Sequence, residues 1–192
     1  DAQIQADGRA YVQGRNFGSM ILLNMQKIKH AVMGHPRIKD VRIRKIFPSS
    51  LRISIKERIP AAVLKQNNYK LIDREGAVLE ESGSRLWPSL PLLTDERSFQ
   101  SRKEDKLDLA WKCLDELDAE TKKQIEILDL SLYNAVTVKL QSVPSRLILG
   151  DKDFAQKIDT FLNNQSVFSQ YGELKTIDLR FEDRFILTPR NH

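Results

Sequence analysis

Catalysis or metal binding in this chain would have to be built from three histidines, one cysteine and a scatter of carboxylates. His30 and His35 stand five residues apart across Gly34 and before Pro36, so they do not share a helical face. Neither they nor His192 belongs to an HExxH arrangement. The lone Cys113 excludes an internal disulfide and a cysteine-based zinc site, and packing is its simplest role. There is no GxxxxGK[ST] phosphate loop and no GxSxG elbow. Gly14-Arg-Asn-Phe-Gly18 lacks both the glycine spacing and the preceding strand of a dinucleotide site. Aspartates and glutamates are numerous, but dispersed as they are they read as surface charge rather than as a paired acid and base. The expectation is a protein that is not an enzyme and carries no metal and no cofactor.

The distribution of charge points instead to binding. The 192 residues carry 31 Lys and Arg against 26 Asp and Glu, a formal net charge of +5. Between residues 37 and 58 there are eight basic residues and two acidic ones, so this short stretch holds more positive charge than the whole chain nets. Residues 103–126 have the opposite balance, five lysines against eight acids. Arg42, Arg44, Arg52 and Lys56 alternate with apolar residues, which places them on one face of a strand pair as a basic stripe. Such a stripe is either a solvated sheet face or a docking surface for an acidic protein, anionic lipid headgroups or nucleic acid. Without interleaved aromatic residues to stack on bases, nucleic acid is the weakest of these.

The elements that must hold these residues follow from hydrophobic period. Residues 1–19, with Gly8, Gly14 and Gly18 among polar residues, read as mostly irregular. Ile21, Leu22, Met25, Ile28 and Val32 recur at helical steps until Gly34 and Pro36 stop the helix. Val41 and Ile43, then Leu51, Ile53 and Ile55, alternate with charged or polar residues on either side of Pro48-Ser49-Ser50, which predicts a β-hairpin. Tyr69 to Leu79 predicts a second hairpin, with Asp73 and Gly76 supplying the turn. Pro88 and Pro91 mark Trp87 to Leu93 as a connector and a reasonable place for a boundary. Residues 101–118 form an amphipathic helix on Leu107, Ala110, Trp111, Leu114 and Leu117. Strands follow at 125–130, 136–140 and 146–149. A second amphipathic helix then carries Phe154, Ile158, Phe161 and Leu162. A last strand runs from Leu174, with Ile177, Leu179 and Phe181 on one face and Phe185 and Leu187 resuming that face beyond Asp183. The layout is α+β with antiparallel sheets. The longest apolar runs, such as 20–23 and 61–64, are far short of the roughly 20 residues that span a bilayer.

Residues 34–64, GHPRIKDVRIRKIFPSSLRISIKERIPAAVL, resemble the POTRA segment of the bacterial FtsQ/DivIB cell-division family. His35-Pro36, Val41, Phe47-Pro48, Leu51, Glu57, Pro60 and Ala62 fall in the places where that family writes "hP.i", a strand ending "r.fP..L", a second strand and "E..P.A". Tyr69-Lys-Leu-Ile-Asp73-Arg-Glu-Gly76 is similar to its "liD..G" segment. Leu147-Ile-Leu-Gly150 and Ile177-Asp178-Leu179-Arg180-Phe181 are similar to its "l.lG" and "vDLRy" signatures, with Phe181 in place of the tyrosine.

The resemblance implies a small POTRA domain at residues 1–64, lacking its opening strand and helix. A mixed α/β domain with a largely antiparallel sheet, the β domain, would then occupy residues 65–192. It implies a non-enzymatic divisome scaffold on the extracytoplasmic (periplasmic) face of the inner membrane. In the whole protein a single-pass anchor, absent from this chain, would hold it there, and it would bind FtsB- and FtsL-like partners and not nucleic acid. Binding would be by β-strand addition at residues 177–187, with Ile177, Leu179, Arg180, Phe181, Arg184 and Phe185 as contact residues. In that picture Arg180 meets a partner carboxylate and Phe181 is an aromatic anchor. The POTRA domain could contact other divisome proteins. The alternatives are a POTRA-type chaperone, although only one "fP..L" hairpin is present, and a basic membrane-surface or nucleic-acid binding module using Arg42, Arg44, Arg52 and Lys56.

Overall fold

Where the sequence alternates by twos or by threes and fours, strands and helices form accordingly in a computed structural model that describes residues 2–4, 9–12, 24–46 and 50–190. The chain divides into two units, Asp1–Pro60 and Ala61–His192. The first contains β1 (Ala2–Ile4), β2 (Arg9–Val12), α1 (Met25–Met33), β3 (Ile38–Ile46) and β4 (Ser50–Glu57), with a sheet ordered β1-β2-β4-β3. The alternation in β3 and β4 aligns Val41 with Ile55 and Ile43 with Ile53 in an antiparallel pair, and Val41 and Ile53 are buried. Asn24 caps α1, its side-chain oxygen accepting the Gln26 and Lys27 N–H groups at 3.1 Å. Met25, Ile28 and Val32 are its half-buried positions, as their spacing requires. Ile21, Leu22, the Gly14–Phe17 segment, Phe47, Pro48 and Ser49 lie outside the described residues. Within the first nineteen residues, read as mostly irregular, the described residues form two short strands, β1 and β2. They were missed because they are short and lack their own alternation. β2 is held by its register on β4, Ala10 opposite Ile53.

The second unit is built on a nine-stranded sheet. Its elements are β5 (Pro60–Lys65), β6 (Tyr69–Asp73), β7 (Val78–Ser82), β8 (Leu92–Thr94), α2 (Lys103–Glu116), α3 (Ala119–Gln124), β9 (Ile125–Asp129), β10 (Val136–Leu140), β11 (Arg146–Gly150), α4 (Phe154–Asn163), α5 (Gln165–Ser169), β12 (Leu174–Asp178) and β13 (Ile186–Pro189). The strand order is β13-β12-β11-β10-β9-β8-β5-β6-β7. Residues 61–64, expected with the first domain, therefore sit in the second unit's sheet. The β6–β7 hairpin turns as its residues dictate. The Asp73 carboxylate accepts the Glu75 and Ala77 N–H groups, and Gly76 adopts φ +71°.

Antiparallel hairpins dominate, but β5–β8, β8–β9 and β11–β12 pair in parallel. Each of the last two pairs is joined through helices, α2 with α3 and α4 with α5, the long crossover that parallel neighbours need. The helices α2 and α4 pack on each other and on the sheet. Leu107, Ala110, Trp111 and Leu114 from α2 and Phe154, Ile158 and Phe161 from α4 enter one core with Leu93, Leu128, Val138, Leu147 and Leu149. One expectation fails here. Leu92 and Leu93, placed in a connector with a boundary nearby, are buried in β8 at the centre of the sheet. Pro91 stands just before the strand and needs no N–H of its own, while its carbonyl accepts the Val63 N–H at 2.9 Å.

Candidate partner-binding edge

Gly150 ends β11 with φ +84°, a conformation that glycine adopts without strain. A Cβ there would stand 3.1 Å from Cγ of Arg180, so the same glycine leaves room for the arginine stem. Lys157 reaches back from α4, its ammonium donating to the Leu149 and Lys152 carbonyls at 2.7 Å, which ties the helix to the strand end. β12 lies parallel to β11, with Leu147 opposite Ile177 and Ile148 opposite Asp178. The Leu179 N–H extends the ladder onto the Ile148 carbonyl at 2.9 Å.

Ile177 and Leu179, expected among the contact residues, are only 1% and 2% exposed. They anchor the strand in the core and present no side-chain surface. Asp178 is also buried, and its carboxylate is gripped by Arg180: Nε donates at 2.9 and 3.1 Å, Nη2 at 2.6 Å and the backbone N–H at 3.1 Å. Burial pushes the Asp178 carboxyl up. The Arg180 hydrogen bonds and charge outweigh it and hold the group below the usual carboxylate range. The guanidinium, raised by the same hydrogen bond, is thus engaged inside the chain along two of its nitrogens.

After Leu179 the chain leaves the ladder and returns as β13, antiparallel to β12, with Leu187 opposite Ile177 and Ile186 opposite Asp178. The expected single alternating strand from Leu174 to Leu187 is therefore a strand, a turn and a second strand. The polar run Glu182-Asp183-Arg184 supplies the reversal. This moves the exposed edge. β12 is interior to the sheet and β13 is the edge, with one side of its backbone unpaired among the described residues.

The turn collects the remaining contact residues beside that edge. Phe181 is half-buried between two guanidinium groups, Arg180 at 5.8 Å and Arg184 at 5.0 Å from its ring. Phe185 is 44% exposed and meets Phe168 edge-on at 5.2 Å, and Phe168 stacks on Phe161 at 5.5 Å. A cavity of about 270 Å³, lined in part by Val143, Phe161, Phe168 and Leu174, shares this aromatic stack. Exposed Ile186 continues the apolar surface along β13. The geometry offers a free strand edge for backbone hydrogen bonds, two aromatic rings for apolar contact and the Arg184 cation. Sequence reasoning overlooked Ile186, Phe168, Gly150 as the seat of Arg180, and Asp178 as its partner. The only available signals were an Ile next to Phe185 in a polar tail and the aspartate two residues before Arg180.

Arg42, Arg44, Arg52 and Lys56 are all exposed on β3 and β4, with Arg44 directly opposite Arg52. Elsewhere, burial pushes the Cys113 thiol up to about 12, with Glu116 adding to the shift, so it stays a neutral packing group. Among the described residues no group of three or more His, Cys, Asp or Glu could hold a metal ion. No helix among them is long and apolar enough to cross a membrane.

Comparison with known proteins adds to this geometry. Residues 61–180 match the family described as cell division protein FtsQ/DivIB, C-terminal, and residues 9–58 match the POTRA domain, FtsQ-type. The chain is 25% identical over 193 residues to the cell division protein FtsQ of Koribacter versatilis, covering 93% of this chain and 56% of that protein. It is 26% identical over 181 residues to FtsQ of Syntrophotalea carbinolica, covering 86% and 62%. To the cell division protein DivIB of Clostridium tetani it is 33% identical over 67 residues, covering 34% and 25%. The chain thus spans little more than half the length of the first two relatives.

Proposed function

This chain belongs to the FtsQ/DivIB family of cell division proteins, and we propose that it acts as an extracytoplasmic, non-enzymatic divisome scaffold that captures FtsB- and FtsL-like partners on the β13 edge. The observation that carries this reading is the unpaired edge of β13 flanked by half-open Phe181 and Phe185. Phe181 closes the 177–181 segment that resembles the family signature, and Phe185 lies four residues beyond it. An added strand would pair with the backbone of residues 186–188. Pro189 lacks an N–H and limits the ladder at its far end. Arg184, whose guanidinium lies over Phe181 and has no carboxylate partner among the described residues, is the cation placed to meet an acidic partner side chain. Arg180 contributes chiefly by holding the turn through Asp178.

The test is calorimetric titration of the chain with the soluble extracytoplasmic parts of the cognate FtsB and FtsL at physiological salt. Phe181→Ala and Phe185→Ala are run in parallel. Each truncation is expected to cost on the order of 2 kcal/mol, roughly thirtyfold in affinity, as interface anchors do. Unchanged affinity in both folded variants would remove this edge from the contact. Absence of any binding by the folded chain would remove the partners.

A further inference from the structure

The outer face of the β3–β4 hairpin carries an arrangement that a merely solvated sheet would avoid. The register puts Arg44 directly across from Arg52, Arg42 across from Ser54 and Lys56 across from Asp40. Like charges directly opposite each other on adjacent strands destabilise the pair. Among the described side chains the one acid on this face, Asp40, lies 3.6 Å from Arg42 and stands across the register from Lys56 without an ion pair to it. No carboxylate among the described residues forms an ion pair with Arg44, Arg52 or Lys56. The opposite face of the same hairpin holds Val41 and Ile53 in the core, so these cations have no route inward.

We propose that this face is a docking surface for the anionic headgroups of a phospholipid membrane. Its shape selects that occupant over an acidic peptide. The four cations are exposed on two adjacent strands of one sheet face, a spread array rather than the walls of a cleft. Among the described side chains of the face, Ile46, two residues beyond Arg44 and 38% exposed, is the large apolar group placed to enter the interfacial layer. A two-dimensional array of permanent cations complements a two-dimensional array of phosphates. The guanidinium pair Arg44 and Arg52 loses its mutual repulsion when anions lie over it. Each basic residue held near an anionic leaflet raises partition onto it about fivefold, within a Debye length of about 8 Å at physiological salt. This surface lies in the first unit and is independent of the β13 edge.

The test is co-sedimentation of the whole chain with phosphatidylcholine vesicles, with and without phosphatidylglycerol. Binding is expected to the anionic vesicles alone and to fall away at high salt. Arg44→Ser combined with Arg52→Ser is expected to weaken it by about twenty-fivefold, two residues at about fivefold each. Arg44→Glu separates docking from folding. It places opposite charges across the hairpin, so its melting temperature should hold or rise while vesicle binding drops. Equal binding to neutral vesicles, unchanged binding in these folded variants, or no binding to anionic vesicles would each overturn the proposal, the last leaving the face to an acidic protein.

Discussion

Arg180→Ala asks whether this arginine holds the turn beside the edge strand or stands free for a partner. The substitution strips three guanidinium contacts from a carboxylate whose side chain is only 8% exposed, leaving it the Arg180 backbone N–H. Severing a fully buried pair costs about 3–5 kcal/mol. The guanidinium here is 44% exposed, so water reaches the carboxylate once it is gone, and the expected loss falls to about 2 kcal/mol. With a urea m-value near 2 kcal/mol/M that is a midpoint shift of about 1 M. Trp87 and Trp111, the chain's two tryptophans, both lie in the second unit, so their fluorescence follows that unit alone. The pH dependence provides a second check. Since Arg180 holds the folded Asp178 carboxyl below its ordinary value, it stabilises the fold above the unfolded pKa of about 3.9. That stability is lost as pH falls through the depressed folded value. In Arg180→Ala burial is opposed only by the backbone N–H of residue 180 and the charge of Lys157, so the carboxyl moves up from its place in the parent and the variant loses stability at higher pH. The gap between the two proteins should be widest near neutrality and close in acid. A midpoint within about 0.2 M of the parent at neutral pH, or a gap that persists unchanged in acid, would refute the internal role.

Lys106→Ala removes the ammonium that lies 2.6 Å from the fully buried Asp95 carboxylate. It should cost about 3 kcal/mol, with a double-mutant cycle through Asp95→Asn returning part of the loss. Gly150→Ala forces a side chain into a left-handed conformation worth roughly 1–2 kcal/mol, against the Arg180 stem. The melting temperature should drop by several degrees. Cys113 contributes stability that is full below its ordinary value near 9.0 and is lost as pH climbs toward about 12, because only the unfolded thiol ionises readily. Alkaline melting curves should therefore fall more steeply for the parent than for Cys113→Ala, and the native thiol should resist alkylation until the chain unfolds.

Local elements were legible wherever one face had a strong period. The β3–β4 and β6–β7 hairpins and the apolar stripes of α2 and α4 lie where their residues demand. What failed were elements whose pairing is decided far away in sequence. β1 and β2 have too few residues for a pattern and exist through pairing, β1 on β2 and β2 on β4. β8 is three residues long and follows two prolines, yet it pairs in parallel with β5 on one side and β9 on the other. The parallel pairings were equally hidden. Hairpin signals are local, whereas a crossover is visible only when a helix returns the chain to the starting end of the sheet.

The candidate edge shows the same division between local and distant information. That Ile177, Leu179, Phe181, Phe185 and Leu187 alternate is a local fact of the sequence, but only Ile177 and Leu179 share a fully buried face. Whether they make one strand or two depends on Asp178 and Arg180, adjacent in type to countless surface pairs. Only burial of the carboxylate against β11 turns this pair into a clamp. The backbone leaves the β11 ladder after Leu179, beside this clamp. That diversion releases Phe181 from the core face it would have occupied in a continuous strand and sends β13 back along β12. A partner that adds to this sheet therefore reads the backbone of β13 and side chains of the turn, not the alternating residues of β12. The residues proposed to recruit a partner and the residues that shape the edge are consequently separable. Phe185→Ala should weaken association with little change in melting, Arg180→Ala should lower melting first, and association should fail only as far as the turn is lost.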